Sequence, residues 1–198
     1  MFTKPAILLA SSSPRRSDIL KQFGYTVDSV EHSFNEDSLL IDDFPSPRDY
    51  VKEIAKQKAY SVSYHNNTVL LAADTIVVCD HSILGKPKNY QQASCYLSML
   101  QGKAHYVISA FCLRLPFKDR PIIRSSLSTV IFNCLTSHQI DDYINTHKPF
   151  DKAGAYGIQE CPPYFISSYS GSIYTIMGLP IYILNQTIKD SHQVFVSL

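Results

Sequence analysis

The opening of the chain leaves little choice of local structure. Pro5-Ala6-Ile7-Leu8-Leu9-Ala10 is an apolar run closed by serines, the pattern of a short buried strand. Ile19, Leu20 and Phe23 then fall at helical spacing, and Gly24 stops the run as a residue just past a helix C-terminus does. Ser13 is the natural N-cap and Pro14 the first helical position, where its missing N–H costs nothing. Arg15 and Arg16 therefore fall in the first helical turn, at the positive end of the macrodipole. Cations are unfavourable there unless something negative binds. Ser11-Ser12-Ser13, free helical N–H groups and two guanidinium forks together form a phosphate cradle, the plain alternative being two solvated surface arginines.

Composition narrows the partners. At 198 residues, 45% hydrophobic and 18% charged, the chain can bury a large core and is expected to form a single domain over residues 1–198, with two lobes. A net charge of +1 without any basic block gives no support for broad attraction to nucleic acid or an anionic membrane. Anion recognition must be local. Cys79, Cys95, Cys112, Cys134 and Cys161 are scattered without C-x-x-C pairing, and the histidines lack H-E-x-x-H spacing, so reduced thiols and no zinc site are expected. No apolar run suits a signal peptide or a membrane span, which points to a cytoplasmic protein.

Periodicity orders the rest. A second helix starts at Ser46-Pro47, with Asp49 as the acidic partner of its cap and a stripe of Val51, Ile54, Ala55, Ala59 and Val62. Thr68–Ala73 and Thr75–Cys79 read as buried strand runs around Asp74, followed by a turn at Asp80-His81-Ser82. A helix is predicted over Tyr90–Gln101 with Asn89 as cap, then strands His105–Leu115 and Ile122–Leu135, broken at Pro116 to Pro121. Thr136 to Gln139 has capping-box spacing and opens a further helix. Asp151–Gln159 reads as glycine-punctuated loop and short strand, Tyr164–Ser170 as a strand, and a closing helix starts near Pro180. Alternation followed by a hairpin predicts an α/β fold with a mixed sheet.

Several residues could carry chemistry. Asp74 interrupts an apolar β pattern, where a carboxylate is rarely left without a partner. It is either a capped or salt-bridged structural residue, or a carboxylate able to hold a metal or take a proton from water. Lys58 occupies the apolar stripe of the second helix, whereas Lys56 lies off it as ordinary surface. Lys58 is either a snorkelling lysine or an ammonium aimed at a phosphate. Lys86 follows Gly85 in a loop and could offer phosphate a point charge, or simply be part of a turn. Glu36 belongs to an irregular acidic segment, Glu31 to Asp43. Gln159 follows a run of small residues and offers an amide suited to a pyrimidine edge. Together these suit a nucleotide polyphosphate site.

In order along the chain, Leu9-Ala10-Ser11-Ser12-Ser13-Pro14-Arg15-Arg16, Ala55-Lys56-Gln57-Lys58-Ala59, Ala73-Asp74-Thr75 and Leu84-Gly85-Lys86-Pro87 resemble motifs of the Maf-like nucleoside triphosphate pyrophosphatases. Asp151-Lys152-Ala153-Gly154-Ala155-Tyr156-Gly157-Ile158-Gln159 and Gly178-Leu179-Pro180 complete the likeness. The resemblance implies an elongated mixed sheet flanked by helices, two lobes with a central cleft, similar to inosine triphosphate pyrophosphatases. It implies hydrolysis of a nucleoside triphosphate to monophosphate and pyrophosphate, with Mg²⁺ or Mn²⁺ as cofactor, and a homodimer. Asp74 matches the family's general base and, with Glu36, its metal position. Ser11, Arg15, Arg16, Lys58 and Lys86 match phosphate-binding positions; Arg15, Thr75 and Gln159 match positions tied to base selection. The wording around Asp74 and Gln159 resembles the branch acting on dTTP and UTP rather than on 7-methyl-GTP. Two positions depart from the pattern: Asn35 precedes Glu36 where the family is usually acidic, and Glu160 follows Gln159 where it usually has glycine. The competing expectations are a non-catalytic nucleotide-binding regulator of septum formation and a pyrophosphatase preferring an aberrant purine triphosphate.

Overall fold

A computed structural model of the chain describes residues 4–63, 68–116 and 118–196, apart from the side chains of Asp37 and of residues 192–196. Strand β1 (Ile7–Ala10) runs through the serine loop into helix α1 (Pro14–Gln22), and the chain returns as β2 (Val27–Val30). Ser13 is the N-cap with Pro14 in the first turn, as the sequence requires, but the Ser13 side chain makes no capping bond. Its N–H donates instead to Ser11 Oγ at 3.2 Å. At the other end of α1, Gly24 takes φ +77°, a left-handed conformation that glycine adopts without steric penalty.

Helix α2 (Pro47–Tyr60) is capped as expected, Ser46 Oγ accepting from the Asp49 N–H at 3.2 Å and donating to Asp49 Oδ2 at 2.7 Å. Beyond it come β3 (Val69–Cys79), β4 (Ser82–Leu84), α3 (Tyr90–Leu100), β5 (Ala104–Arg114) and β6 (Ile122–Phe132). Helix α4 (Ser137–His147), β7 (Ile166–Ser170), α5 (Ile173–Met177) and α6 (Ile181–Val196) complete the order. The strands form a seven-stranded mixed sheet in the order β2-β1-β3-β5-β6-β7, with β4 paired to β3. β1 lies parallel to both β2 and β3, Leu9 opposite Ser29 and Leu71; β4 and β7 are antiparallel to β3 and β6. This is the expected α/β fold with a mixed sheet. No helix among the described residues is long and apolar enough to cross a membrane.

The chain divides into two compact units, one comprising Met1–Asp74, Ser109–Ser126 and Gly178–Leu198, the other Thr75–Ile108 and Leu127–Met177. In the first, Leu9, Ile19, Leu20, Ile54, Leu71 and Phe111 are buried. In the second, Leu97, Leu100, Val107, Phe132, Tyr143 and Phe165 form one core, with the Phe132 ring meeting Tyr156 edge-on at 4.9 Å.

The structure corrects several expected boundaries. β3 is one continuous strand through Asp74, because Lys58 satisfies the carboxylate that would otherwise break the run. β6 stops at Phe132 rather than Leu135, since the Asn133 N–H turns to the Phe165 carbonyl. The predicted short strand within Asp151–Gln159 is absent. Gly154 (φ +67°) and Ala155 (φ +61°) lie in the left-handed region, and the segment forms 3-10 turns at Ala153–Ala155 and Ile158–Glu160. β2 and α5 were not foreseen. Phe117, in the expected break between the long strands, lies outside the described residues.

Candidate active site

In the first unit a lysine placed on an apolar helix face meets an aspartate placed in a buried strand. α2 turns Lys58 inward with Ile54, Ala55 and Ala59, and only 3% of its side chain is exposed. β3 carries Asp74 in a run buried on both sides. Lys58 Nζ donates to Asp74 Oδ1 at 2.6 Å and pairs with Glu36 Oε1 at 2.7 Å. An ammonium this far from water needs such anionic partners. Asp74 is nearly as buried as Lys58, whereas Glu36 reaches solvent from the 3-10 turn Glu36–Ser38. Lys58 engages Oδ1 of Asp74; Oδ2 accepts no hydrogen bond from the described residues.

The serine loop adds a second cation to this unit. Arg16 Nη1 donates to Ser11 Oγ at 2.9 Å and Arg16 Nε to the Gly178 carbonyl at 3.0 Å. These bonds explain why the first turn of α1 tolerates an arginine: the fork is tied to the buried Ser11 and to the Gly178 carbonyl. Burial lowers the pKa of Arg16, opposed first by the Asp74 charge, then lowered further by Arg15 and raised by Glu36. Ser11, Arg16, Glu36, Lys58 and Asp74 therefore form one electrostatic group, with the half-buried Arg15 near enough for its charge to act on Arg16.

Thr75, Lys86 and Gln159 belong to the second unit. Thr75 is partly exposed on β3, one residue beyond Asp74. Lys86 is exposed and follows β4, and Gln159 is exposed within the turn Ile158–Glu160. The loops bearing the last two are joined, since the Gly154 N–H donates to the Gly85 carbonyl at 3.0 Å. The segment is fixed further by Tyr156, whose hydroxyl lies 2.8 Å from His105 Nε2, and by Gly157, whose N–H donates to the Tyr143 hydroxyl at 3.1 Å. The Lys86 and Gln159 side chains make no hydrogen bond or ion pair with the described residues. An uncommitted cation and an uncommitted amide thus stand on coupled loops.

Sequence reasoning passed over Lys152. Its side chain is 8% exposed, with Asp151 and Glu160 as its partners. Its burial could not be read from a stretch of small residues. Among the described residues no three His, Cys, Asp or Glu side chains come together as a ligand group. Glu36 and Asp74 nevertheless converge on one cation, Lys58, which fits the few-carboxylate mode by which Mg²⁺ is bound together with substrate phosphates.

An α/β fold with paired carboxylates, a buried lysine and an arginine beside the N-terminus of a helix defines a protein equipped for a polyanion. Residues 6–191 match the family described as Maf-like protein, and the chain belongs to that family. It is 39% identical to a dTTP/UTP pyrophosphatase of Clostridioides difficile (strain 630), over 92% of this chain and 93% of the relative. It is 37% identical to a dTTP/UTP pyrophosphatase of Clostridium perfringens, over 93% and 96%, and 39% identical to one from Fusobacterium nucleatum, over 88% and 90%.

Proposed function

We infer that this chain hydrolyses dTTP and UTP to the nucleoside monophosphate and pyrophosphate. The observation that carries the reading is the Lys58 ammonium held between Asp74 and Glu36, in a chain alike over nine-tenths of its length to proteins named for that activity. In this reading Asp74 Oδ2 accepts a proton from water as the water oxygen bonds to the α-phosphorus. The bond from the α-phosphorus to the α–β bridging oxygen breaks, and pyrophosphate leaves with that electron pair. Negative charge builds on the phosphoryl oxygens, so the Lys58 and Lys86 cations act where it develops, while Arg15 holds the polyphosphate in ground and transition states alike. Arg16 adds a further phosphate-binding charge, and its bonds to Ser11 and the Gly178 carbonyl hold the α1 terminus in place.

Glu36 and Asp74 would hold a divalent ion, Mg²⁺ or Mn²⁺, which would supply further charge neutralisation. Thr75 and Gln159 contact the base, with the Gln159 amide able to donate and accept at a pyrimidine edge. In this reading the protein is cytoplasmic and homodimeric, with a house-cleaning role.

The test is product analysis of purified protein with Mg²⁺ or Mn²⁺ across canonical and modified triphosphates. Monophosphate plus pyrophosphate, strongest from dTTP and UTP and lost in Asp74→Asn, is the expected result. Stronger turnover of a purine triphosphate would overturn the substrate assignment. Binding without turnover would favour the regulator of septum formation instead.

A further inference from the structure

The second unit buries a lysine that the proposed chemistry does not use. Lys152 Nζ donates to Asp151 Oδ1 at 2.8 Å and pairs with Glu160 Oε2 at 3.1 Å. Asp151 is mostly exposed, with 57% of its side chain accessible, whereas Glu160 is at 30%. The lysine stem crosses the backbone of Gly157: a Cβ built there would lie 3.0 Å from Lys152 Cε and 3.4 Å from Glu160 Cδ. The pair therefore closes a ring from residue 152 to residue 160, enclosing both 3-10 turns. Gln159 sits next to the point of closure. Its side chain has no anchor of its own among the described residues, so its backbone alone aims the amide.

We propose that Glu160 is a positioning residue for base recognition: paired with Lys152, it closes the 152–160 segment and fixes the turn that presents Gln159. The proposal rests on the reading of Gln159 as a base-contacting group. Glu160 pairs with Lys152 beside Gln159 and has no part in the proposed phosphoryl chemistry, so its effect falls on binding and selectivity.

Glu160→Gln keeps length and shape but replaces a charge-assisted contact with a neutral one. The expected result is a KM for dTTP raised about three- to tenfold, between the worth of an exposed ion pair and a charged hydrogen bond. kcat stays within about twofold, the signature of binding lost equally from ground and transition states. The preference for dTTP over a purine triphosphate falls with it. Lys152→Met gives the same change, and the double variant is no worse than either single one, because the two side chains act as a unit.

Steady-state kinetics on the full chain, paired with amide hydrogen exchange across residues 157–160, make the test. An unchanged KM and preference in Glu160→Gln, or additive effects of the two substitutions, overturns the proposal. So does a fall in kcat at constant KM. Should Lys152→Met fail to fold, the partly exposed Glu160→Gln variant decides alone. Should the wild-type protein turn over no pyrimidine triphosphate, the functional reading fails separately and exchange decides the positioning claim. Faster exchange of the Glu160 N–H, which donates to the Gly157 carbonyl at 2.9 Å, in Glu160→Gln supports closure by the pair; unchanged protection refutes it.

Discussion

Replacing Lys58 with methionine removes the cation that two carboxylates share, and the structure sets the size of the loss. Asp74 would remain buried, having lost its 2.6 Å partner, while Glu36, at 38% exposure, can turn to water. Stranding one member of a buried pair typically costs about 3–5 kcal/mol. The Arg16 charge, which already acts on Asp74, offsets part of this and brings the expectation to about 2–3 kcal/mol. In a chain of this size that lowers Tm by about 5–10 °C. Asp74→Asn removes the same ion pair from the other side, yet leaves Lys58 bonded to Glu36 and facing a neutral oxygen acceptor. Its cost is about 1 kcal/mol, so the two variants separate by several degrees. Differential scanning calorimetry at neutral pH reads both. A Lys58→Met protein melting with wild type, or an Asp74→Asn protein melting below Lys58→Met, would refute the idea that burial of Asp74 makes the lysine necessary.

If Arg15 holds the polyphosphate as proposed, Arg15→Ala raises KM for dTTP by about tenfold with kcat largely kept, and an unchanged KM would argue against the cradle. Burial of His105 lowers its pKa to about 4, below its ordinary value of 6.5. The folded protein then binds fewer protons than the unfolded chain between those values, so stability present above pH 6.5 is lost as pH falls toward 4. The loss is about 3 kcal/mol, and His105→Gln should flatten the dependence of Tm on pH across that window. Gly154→Ala adds a Cβ at φ +67° only 2.9 Å from Val77 Cγ2, which should cost about 2–4 kcal/mol and raise KM by disturbing the Gln159 segment. Normal stability and KM in that variant would show that the segment moves aside freely.

Signals a few residues apart were legible in the chain itself. The Ser46–Asp49 cap, the Asn89 cap and the Thr136–Gln139 capping box all stand where local hydrogen-bonding chemistry puts them, and Ser13-Pro14 opens α1 by backbone conformation without a side-chain cap bond. The apolar β3 run and the stripe of α2 are likewise buried, because period and hydrophobicity decide which face meets the core. β2 escaped notice because Val27-Asp28-Ser29-Val30 is a short strand at the sheet edge, half polar and weakly patterned. The short strand expected within Asp151–Gln159 does not form because Gly154 and Ala155 take left-handed conformations that a strand excludes, leaving the glycine-punctuated loop.

The family motifs singled out Asp74, Lys58 and Glu36, but a linear chain holds no distance between a helix, a strand and an acidic turn. Folding brought Lys58 within 2.6 Å of Asp74 and 2.7 Å of Glu36, and so kept β3 unbroken through an aspartate. The same holds for Lys152, whose burial comes from the coiling of its own segment back onto Glu160. Periodicity, caps and motifs determined which elements form and which family they build. Only the tertiary structure decided which charges neutralise one another, because the cost of burying a charge depends on neighbours that sequence distance does not encode.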